Sequence, residues 1–411
     1  MSEKLKKISS YDLKPGMYVS NLDRPWEETP FLFQGMEIKS SNDILELQKH
    51  CQYVYIDIDQ GLPADQYLAI EQPELQINED ADIFRVPTGF HMYPEKTSFK
   101  EEFVTAKEKY NESVDTVQNV LNDIRKGRKL QLAPVRKAVD GIISSIIRNP
   151  DAFLWLTRLK TKDEYTYAHC VDACGLAVAF GRHLGLQKNE LELLAIGTLL
   201  IDIGKMKIPQ ELLCKQGALS ESEIKLFRNH VNYSVDIIMN MHGMNNEIIS
   251  IVQNHHERFN GQGYPQGISG NEIPIFARIA AVVDCYDAIT SNRIYAKAIS
   301  SYEAIHMMYE WRDKDFQAEV IEQFIQCLGI YPTGTIVELT SGEIGIIYSQ
   351  NRIRRLKPKI MLVLDKNKQS FDFNPTIDLI KDTHDKNGIP IEILCAHEPG
   401  SFGINLRDYY L

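Results

Sequence analysis

The chain has few cysteines, 7 in 411 residues, and no two of them form a C-x-x-C pair. Their odd number and scattered positions argue against a paired redox or metal motif and fit a reducing compartment. Cys170 and Cys174 stand one helical turn apart and read as two core thiols on one helix face. There is no run of about 18 apolar residues, the length a membrane-spanning helix needs. The start, Met1-Ser2-Glu3-Lys4-Leu5-Lys6-Lys7, also lacks the apolar stretch of a signal peptide. A cytoplasmic protein with no membrane partner is therefore expected. Basic residues are outnumbered, 45 against 56 acidic ones, for a net charge of −11. That balance excludes a general binder of nucleic-acid polymers, which needs a basic face. A small anionic ligand stays open if metal ions or a few arginines supply local positive charge. Internal repeats and low-complexity tracts are missing too.

What is present is an ordinary globular balance, 44% hydrophobic and 25% charged, in a chain long enough for two or three domains. Residues 1–70 read as a β-rich accessory domain, with strand composition at Gly16-Met17-Tyr18-Val19 and period-two alternation from Tyr53 to Ile58. Residues 71–100 carry Pro73, Pro87 and Pro94 without clear periodicity and read as a linker. Residues 101–148 form a helical connector. Within it Phe103, Ala106, Tyr110, Val114, Val117, Leu121 and Ile124 make one apolar stripe, stopped at Lys126-Gly127. The stripe fits docking on the next domain, and it permits a homodimer without requiring one. Residues 149–330 are almost continuously helical in pattern, with capping boxes at Ser220/Glu223 and Ser300/Glu303. From residue 331 the period returns to two, and Thr335–Leu339, Gly345–Tyr348 and Lys359–Leu364 predict a small antiparallel sheet. The fold class is mainly α, with small β parts at either end.

The residues hardest to explain as core lie in the helical region. Asp202 ends the apolar run Leu193–Ile201, where the helix dipole and apolar neighbours both disfavour a carboxylate. Buried and ionised without a partner it would cost several kcal/mol, so Lys205 or a cation must compensate; the plainer alternative is a solvated Asp at a helix end. Asp284 sits in the apolar helix Ile279–Asp287, with Asp287 one turn on. His255 and His256 follow the apolar run Ile248–Val252. Adjacent histidines are more often surface residues, and His169 and His230 are weaker signals still. Taken together, four histidines and two carboxylates match the ligand chemistry of borderline divalent metals and of two-metal phosphoester hydrolysis. After the histidine pair, Asn260-Gly261-Gln262-Gly263-Tyr264-Pro265 reads either as a Gly-rich turn or as a loop over a substrate pocket.

Four separated motifs, in order, carry a resemblance. His255-His256-Glu257-Arg258-x-x-Gly261-x-Gly263-Tyr264-Pro265 with Gly270-x-Glu272-Ile273-Pro274 resembles the signature of HD-GYP domains. Asp202-Ile203-Gly204-Lys205-x-x-Ile208-Pro209 resembles the end of the HD motif, and Val283-Asp284-x-Tyr286-Asp287-Ala288-x-Thr290-Ser291 the family's late aspartate helix. The similarity covers about residues 150–330. The β-rich segments on either side resemble, more loosely, accessory regions of one subgroup.

The resemblance implies an HD-domain-like helical bundle and a bacterial signalling role in opening cyclic di-GMP, or a related cyclic dinucleotide, to pGpG and GMP. It implies two divalent metals, iron or manganese. Asp202 would bridge them; His230, His255 and His256 would complete one, and His169 and Asp284 the other. A bridging hydroxide would attack phosphorus, with Lys205 near the phosphate and able to protonate the leaving oxygen. Arg293 would grip phosphate with its bidentate fork. Arg258, Gly261, Gly263, Tyr264, Pro265 and Asp287 would frame the substrate. A diguanylate cyclase is an implied partner through the GYP surface.

The sequence departs from the pattern where the family's HD histidine should precede Asp202, for this chain has Ile201, which cannot ligate a metal. A basic residue expected three positions after Arg293 is Ala296, although Lys297 is adjacent, and a proline expected after that arginine is Ile294. Tyr165 replaces a glutamate that some members use for a third metal. One metal site is therefore expected to be weakened. Two readings stay open: a slow phosphodiesterase, or an impaired domain that binds cyclic dinucleotide or a partner without turnover.

Overall fold

The computed structural model describes residues 5–24, 26, 29, 31, 35–57, 91–159, 165–241, 244–291, 297–352, 354–385, 388 and 390–409. The chain divides into two units, Met1–Ile83 with Arg354–Leu356, and Phe84–Ile353 with Lys357–Leu411.

In the first unit, strands β1 (Leu5–Ser9), β2 (Tyr18–Leu22), β3 (Met36–Glu37) and β4 (Tyr53–Asp57) pair antiparallel in the order β1-β4-β2-β3. The alternation read at residues 53–57 puts Val54 and Ile56 in the core with Met17, Val19, Ile38 and Leu47. Leu47 comes from helix α1 (Ser41–His50), which starts at a Ser40/Asp43 capping box and was not foreseen. Of the linker read at residues 71–100, residues 71–90 lie outside the described residues, 91–98 form no helix or strand, and helix begins at Phe99.

The second unit opens with α2 (Phe99–Arg125), α3 (Leu132–Arg148) and α4 (Pro150–Leu156). The stripe of α2 is buried at Phe103, Ala106, Val117, Leu121 and Ile124, and the helix packs on α3, on α4 and on α5 (Tyr165–His183). Asn149 ends α3 and caps α4, accepting from the amides of Asp151 and Ala152, with Pro150 at the first helical position. Next come α6 (Lys188–Leu200), a 3₁₀ turn at Ile203–Lys207, and α7 (Gln210–Leu213). They are followed by α8 (Glu221–Arg228), α9 (His230–Met239), α10 (Asn246–Asn254), α11 (Ile275–Ile289), α12 (Ser301–Glu310) and α13 (Ala318–Leu328). The capping boxes read at Ser220/Glu223 and Ser300/Glu303 are both formed. Cys170 and Cys174 are thiols buried in the core.

The carboxy-terminal sheet joins β5 (Ile336–Leu339), β6 (Ile344–Ser349), β7 (Lys359–Leu364), β8 (Thr376–Asp378) and β9 (Ile393–His397) in the order β8-β7-β6-β5-β9. Strand β6 is buried at consecutive residues, Ile346 and Ile347 included, because α4 covers one of its faces. Asp151 of α4 fixes that packing, accepting from Ser349 Oγ at 3.0 Å and the Gln350 amide at 2.9 Å while paired with Arg352. The architecture is mainly α with antiparallel sheets near both ends.

Candidate metal centre

Helix α6 delivers Asp202 to the centre of the helical bundle, one residue beyond its C-cap Ile201. The turn that follows is clamped by Ser234 of α9, whose hydroxyl accepts from the Gly204 amide and donates to Ile201 O, both at 2.8 Å. Only glycine fits at 204: a Cβ there would stand 2.1 Å from His230 O. The same contact therefore sets the Asp202 turn against the start of α9, where His230 lies.

The remaining side chains converge from four more elements. His169 Nε2 of α5 lies 3.2 Å from Asp202 Oδ2 and 3.1 Å from Asp284 Oδ1 of α11. His230 Nε2 stands 3.4 Å from Asp202 Oδ1. His255, the C-cap of α10, and His256 beside it complete the set. Two groups result, Asp202-His230-His255-His256 and His169-Asp202-Asp284, each with one ligand atom per residue and those atoms within 4.8 Å of one another. Asp202 is common to both.

The imidazoles are held in the tautomer a metal requires. His230 Nδ1 donates to Phe227 O at 2.7 Å and His255 Nδ1 to Val252 O at 2.8 Å, which leaves each Nε2 lone pair pointing inward. His169 Nδ1 is held by Asp287 Oδ2 at 2.7 Å. Among the described residues, Asp202 Oδ1, His230 Nε2 and His255 Nε2 are buried with no hydrogen-bond partner. Three such orphans at one point would be costly unless something binds them. The donor set, imidazole and carboxylate, fits a divalent cation.

Protonation points the same way. Burial pushes the Asp202 carboxyl up, but the Lys205 ammonium and the His169 and His230 imidazoles outweigh it and hold its pKa well below the usual range. Asp284 is likewise lowered, its burial overcome by the bond to His169. Burial lowers His230 to about 4, against the opposing pull of Asp202. His255 is lowered chiefly by burial, and His256 further by burial with the neighbouring imidazoles. At neutral pH the cluster thus offers charged carboxylates at Asp202 and Asp284 and neutral imidazoles at His230, His255 and His256, the forms that ligate. Lys205 Nζ is hydrogen-bonded to Asp202 Oδ2.

A cavity of about 470 Å³ opens on the cluster, lined by His169, Lys205, His256, Tyr264 and Asp284 among others. Tyr264 stacks on His256 with ring centroids 4.6 Å apart, and the Arg228 guanidinium lies 4.7 Å from the Tyr264 centroid.

A family profile described as HD domain matches residues 153–320, and one described as a domain of unknown function (DUF3391) matches residues 5–135. The cyclic di-GMP phosphodiesterase PA4108 of Pseudomonas aeruginosa is 34% identical over 87% of this chain and 84% of its own length. The chain belongs to the HD-GYP family.

Two further relatives each match less than half of the chain. The cyclic di-GMP phosphodiesterase response regulator RpfG of Xanthomonas campestris is 32% identical over 42% of this chain and 47% of its own. The 3'3'-cGAMP-specific phosphodiesterase 1 of Vibrio cholerae is 32% identical over 38% of this chain and 36% of its own.

Of the residues singled out by the HD-GYP resemblance, His169, Asp202, Lys205, His230, His255, His256, Tyr264 and Asp284 are brought together. Arg258 does not line the cavity; its guanidinium lies over Phe316, 5.1 Å from the ring centroid, and donates to Glu257 O. Gly261, Gly263 and Pro265 are also absent from the described lining. Gly263 serves close approach instead, since a Cβ there would stand 2.4 Å from Glu257 Cα. Asp287 is buried behind His169 and spends a carboxylate oxygen on it. Arg293, Ile294 and Ala296, and the side chain of Tyr165, lie outside the described residues.

Sequence reasoning missed three supports. Besides the Ser234 clamp and Arg228, Glu257 is buried and braces the loop, its Oε1 accepting from the amides of Gln266 at 2.7 Å and Gly267 at 3.2 Å. A glutamate directly after the histidine pair and ahead of a Gly-rich loop was the available signal. No helix of the described residues is long and apolar enough to cross a membrane.

Proposed function

We propose that this chain binds a cyclic dinucleotide of the cyclic di-GMP class at a divalent-metal centre and hydrolyses it slowly. The observation that carries the reading is the convergence of Asp202, His230 and His255, whose inward atoms are buried and without hydrogen-bond partners among the described residues. Its support beyond the geometry is the named activity of the relatives, cyclic di-GMP and 3'3'-cGAMP phosphodiesterases.

In this reading Asp202, His230, His255 and His256 hold one cation, iron or manganese, and His169, Asp202 and Asp284 hold a second. Bound divalent cations supply Lewis acidity and the activation of water for attack at phosphorus. The chain's own residues do the rest. Asp287 orients His169 and fixes its tautomer. Lys205, on the cavity wall, offsets phosphate charge and is placed to give a proton to the leaving oxygen. Tyr264 and His256 form a flat wall for a base, and Glu257 keeps the loop in register. Arg293 adds a phosphate contact. The amino-terminal β unit is an accessory, regulatory domain.

Turnover is impaired because position 201 offers a buried isoleucine where the pattern expects an imidazole. A single change behind a ligand weakens metal affinity about 10- to 100-fold, and loss of a ligand does no less. The defect falls on the His169-Asp202-Asp284 group and leaves the three-histidine group complete. The test is chromatography of cyclic di-GMP incubated with the full chain and Mn²⁺, with and without EDTA. Slow, EDTA-sensitive formation of pGpG is expected. Saturable binding without product would make the protein a nucleotide-binding module, and neither binding nor product would overturn the proposal.

A further inference from the structure

We propose a second ligand site, for a phosphate-bearing small molecule of nucleotide size, where the end of α11 meets the carboxy-terminal sheet. A cavity of about 360 Å³ lies there, within the usual range for small-molecule pockets, and it shares no described lining residue with the cavity over the metal cluster.

Its wall carries Arg158 and Arg407, and none of its described lining residues is a carboxylate. In a chain of net charge −11 this is a local reversal of sign. Arg158 donates Nη1 to Thr290 Oγ1 at 3.0 Å and Nη2 to Thr290 O at 3.5 Å, which fixes the guanidinium plane. Arg407 donates Nε to Leu159 O at 2.9 Å, and its two terminal nitrogens have no hydrogen bond among the described residues. Neither arginine is ion-paired to a carboxylate among the described residues. Gly334 admits Arg158 to the wall: its φ is +89° and a Cβ there would stand 3.0 Å from Arg158 Cγ.

A second, independent sign of a ligand is Ser291. It is 3% exposed, lines the cavity, and its Oγ has no hydrogen-bond partner among the described residues. Ser300 and Ser301, at the amino end of the ten-residue helix α12, also line the cavity, and the Ser300 amide and hydroxyl are engaged by Glu303 in the capping box. His397 is turned toward Glu338, 3.1 Å away, so the positive charge rests on the arginines. Glu398 is hydrogen-bonded to Glu303 near Lys297, and neither carboxyl lines the cavity. Two guanidiniums and an unspent buried hydroxyl, with no carboxylate among the described lining residues, constitute phosphate-recognising chemistry.

The test uses the full chain with EDTA, so that phosphate cannot be held through metal at the other cavity. Binding of inorganic pyrophosphate and of GMP is followed by calorimetry. At least one probe should bind saturably. Arg407→Gln, an exposed position whose change leaves the core untouched, should weaken that binding at least about 10-fold, as the loss of a charge-assisted contact does. Ser291→Ala should weaken it several-fold, and Lys205→Gln should leave it unchanged. Failure of both probes to bind overturns the proposal, as does binding that survives Arg407→Gln or is lost in Lys205→Gln.

Discussion

Replacing Ile201 by histidine puts an imidazole directly before Asp202, at a position that is fully buried at the end of α6. Two energies then oppose each other. Without metal, the variant gives up the burial of an isoleucine, about 1.5–3 kcal/mol, and leaves a polar ring short of partners at about 1–3 kcal/mol. The imidazole recovers part of the lost contact, so the stripped variant should be about 2–4 kcal/mol less stable than the native chain. With metal the gap narrows. A recovered ligand should tighten the weaker cation by at least about 10-fold, or about 1.4 kcal/mol, and saturating metal converts that affinity into stability. Urea denaturation of both proteins in EDTA and in Mn²⁺, with metal content and turnover measured on the same samples, would resolve the two effects. The expected result is a larger metal-induced stabilisation and faster hydrolysis in Ile201→His. A well-folded variant with unchanged metal content and turnover would refute the assignment of position 201 as the missing ligand.

Asp202→Asn should strip both cations, because Asp202 belongs to both ligand groups; metal content near zero is the expected result, and retention of one cation would contradict the shared role. Asp287→Ala leaves His169 Nδ1 without its carboxylate and should weaken the second cation about 10- to 100-fold while sparing the first, as read by metal titration. Glu257→Ala abandons the Gln266 and Gly267 amides and should raise proteolysis at residues 260–267, with KM rising more than kcat falls. In the metal-stripped protein, His230 has a folded pKa of about 4 against an ordinary 6.5, so the unfolded chain takes up the proton first as pH falls. The stability this histidine contributes is complete above about pH 6.5 and declines toward pH 4, by about 3 kcal/mol in all. Urea midpoints in EDTA at pH 7.5, 5.5 and 4 test the trend, and a His230→Asn control should flatten it.

Much of the helical unit was legible because its signals are local. The stripe from Phe103 to Ile124, Asn149-Pro150 and the Ser300/Glu303 box each act within a turn or two of helix. Helix α1 was missed because Ile44, Leu45 and Leu47 make too short an apolar pattern to stand out in a segment of strand composition. Strand β9 was missed because Leu394 and Cys395 are exposed in succession, and its pairing with β5 reaches across more than fifty residues. At the site, motif order identified the ligand residues. It could not say that carbonyls of Phe227 and Val252 set the imidazole tautomers, or that Asp287 turns to His169 across 118 positions. Those are facts of packing, fixed only when the helices meet. Arg258 illustrates the same limit, since its place in the motif suggested the pocket and packing sends it to Phe316.

A dinuclear centre with one complete half and one weakened half should bind its two cations unequally. Titration of the metal-stripped native chain with Mn²⁺, monitored by calorimetry, distinguishes them. One tight cation, abolished by His255→Ala, is expected, with a second bound at least about 10-fold more weakly. Two cations of equal affinity, or none, would contradict that expectation.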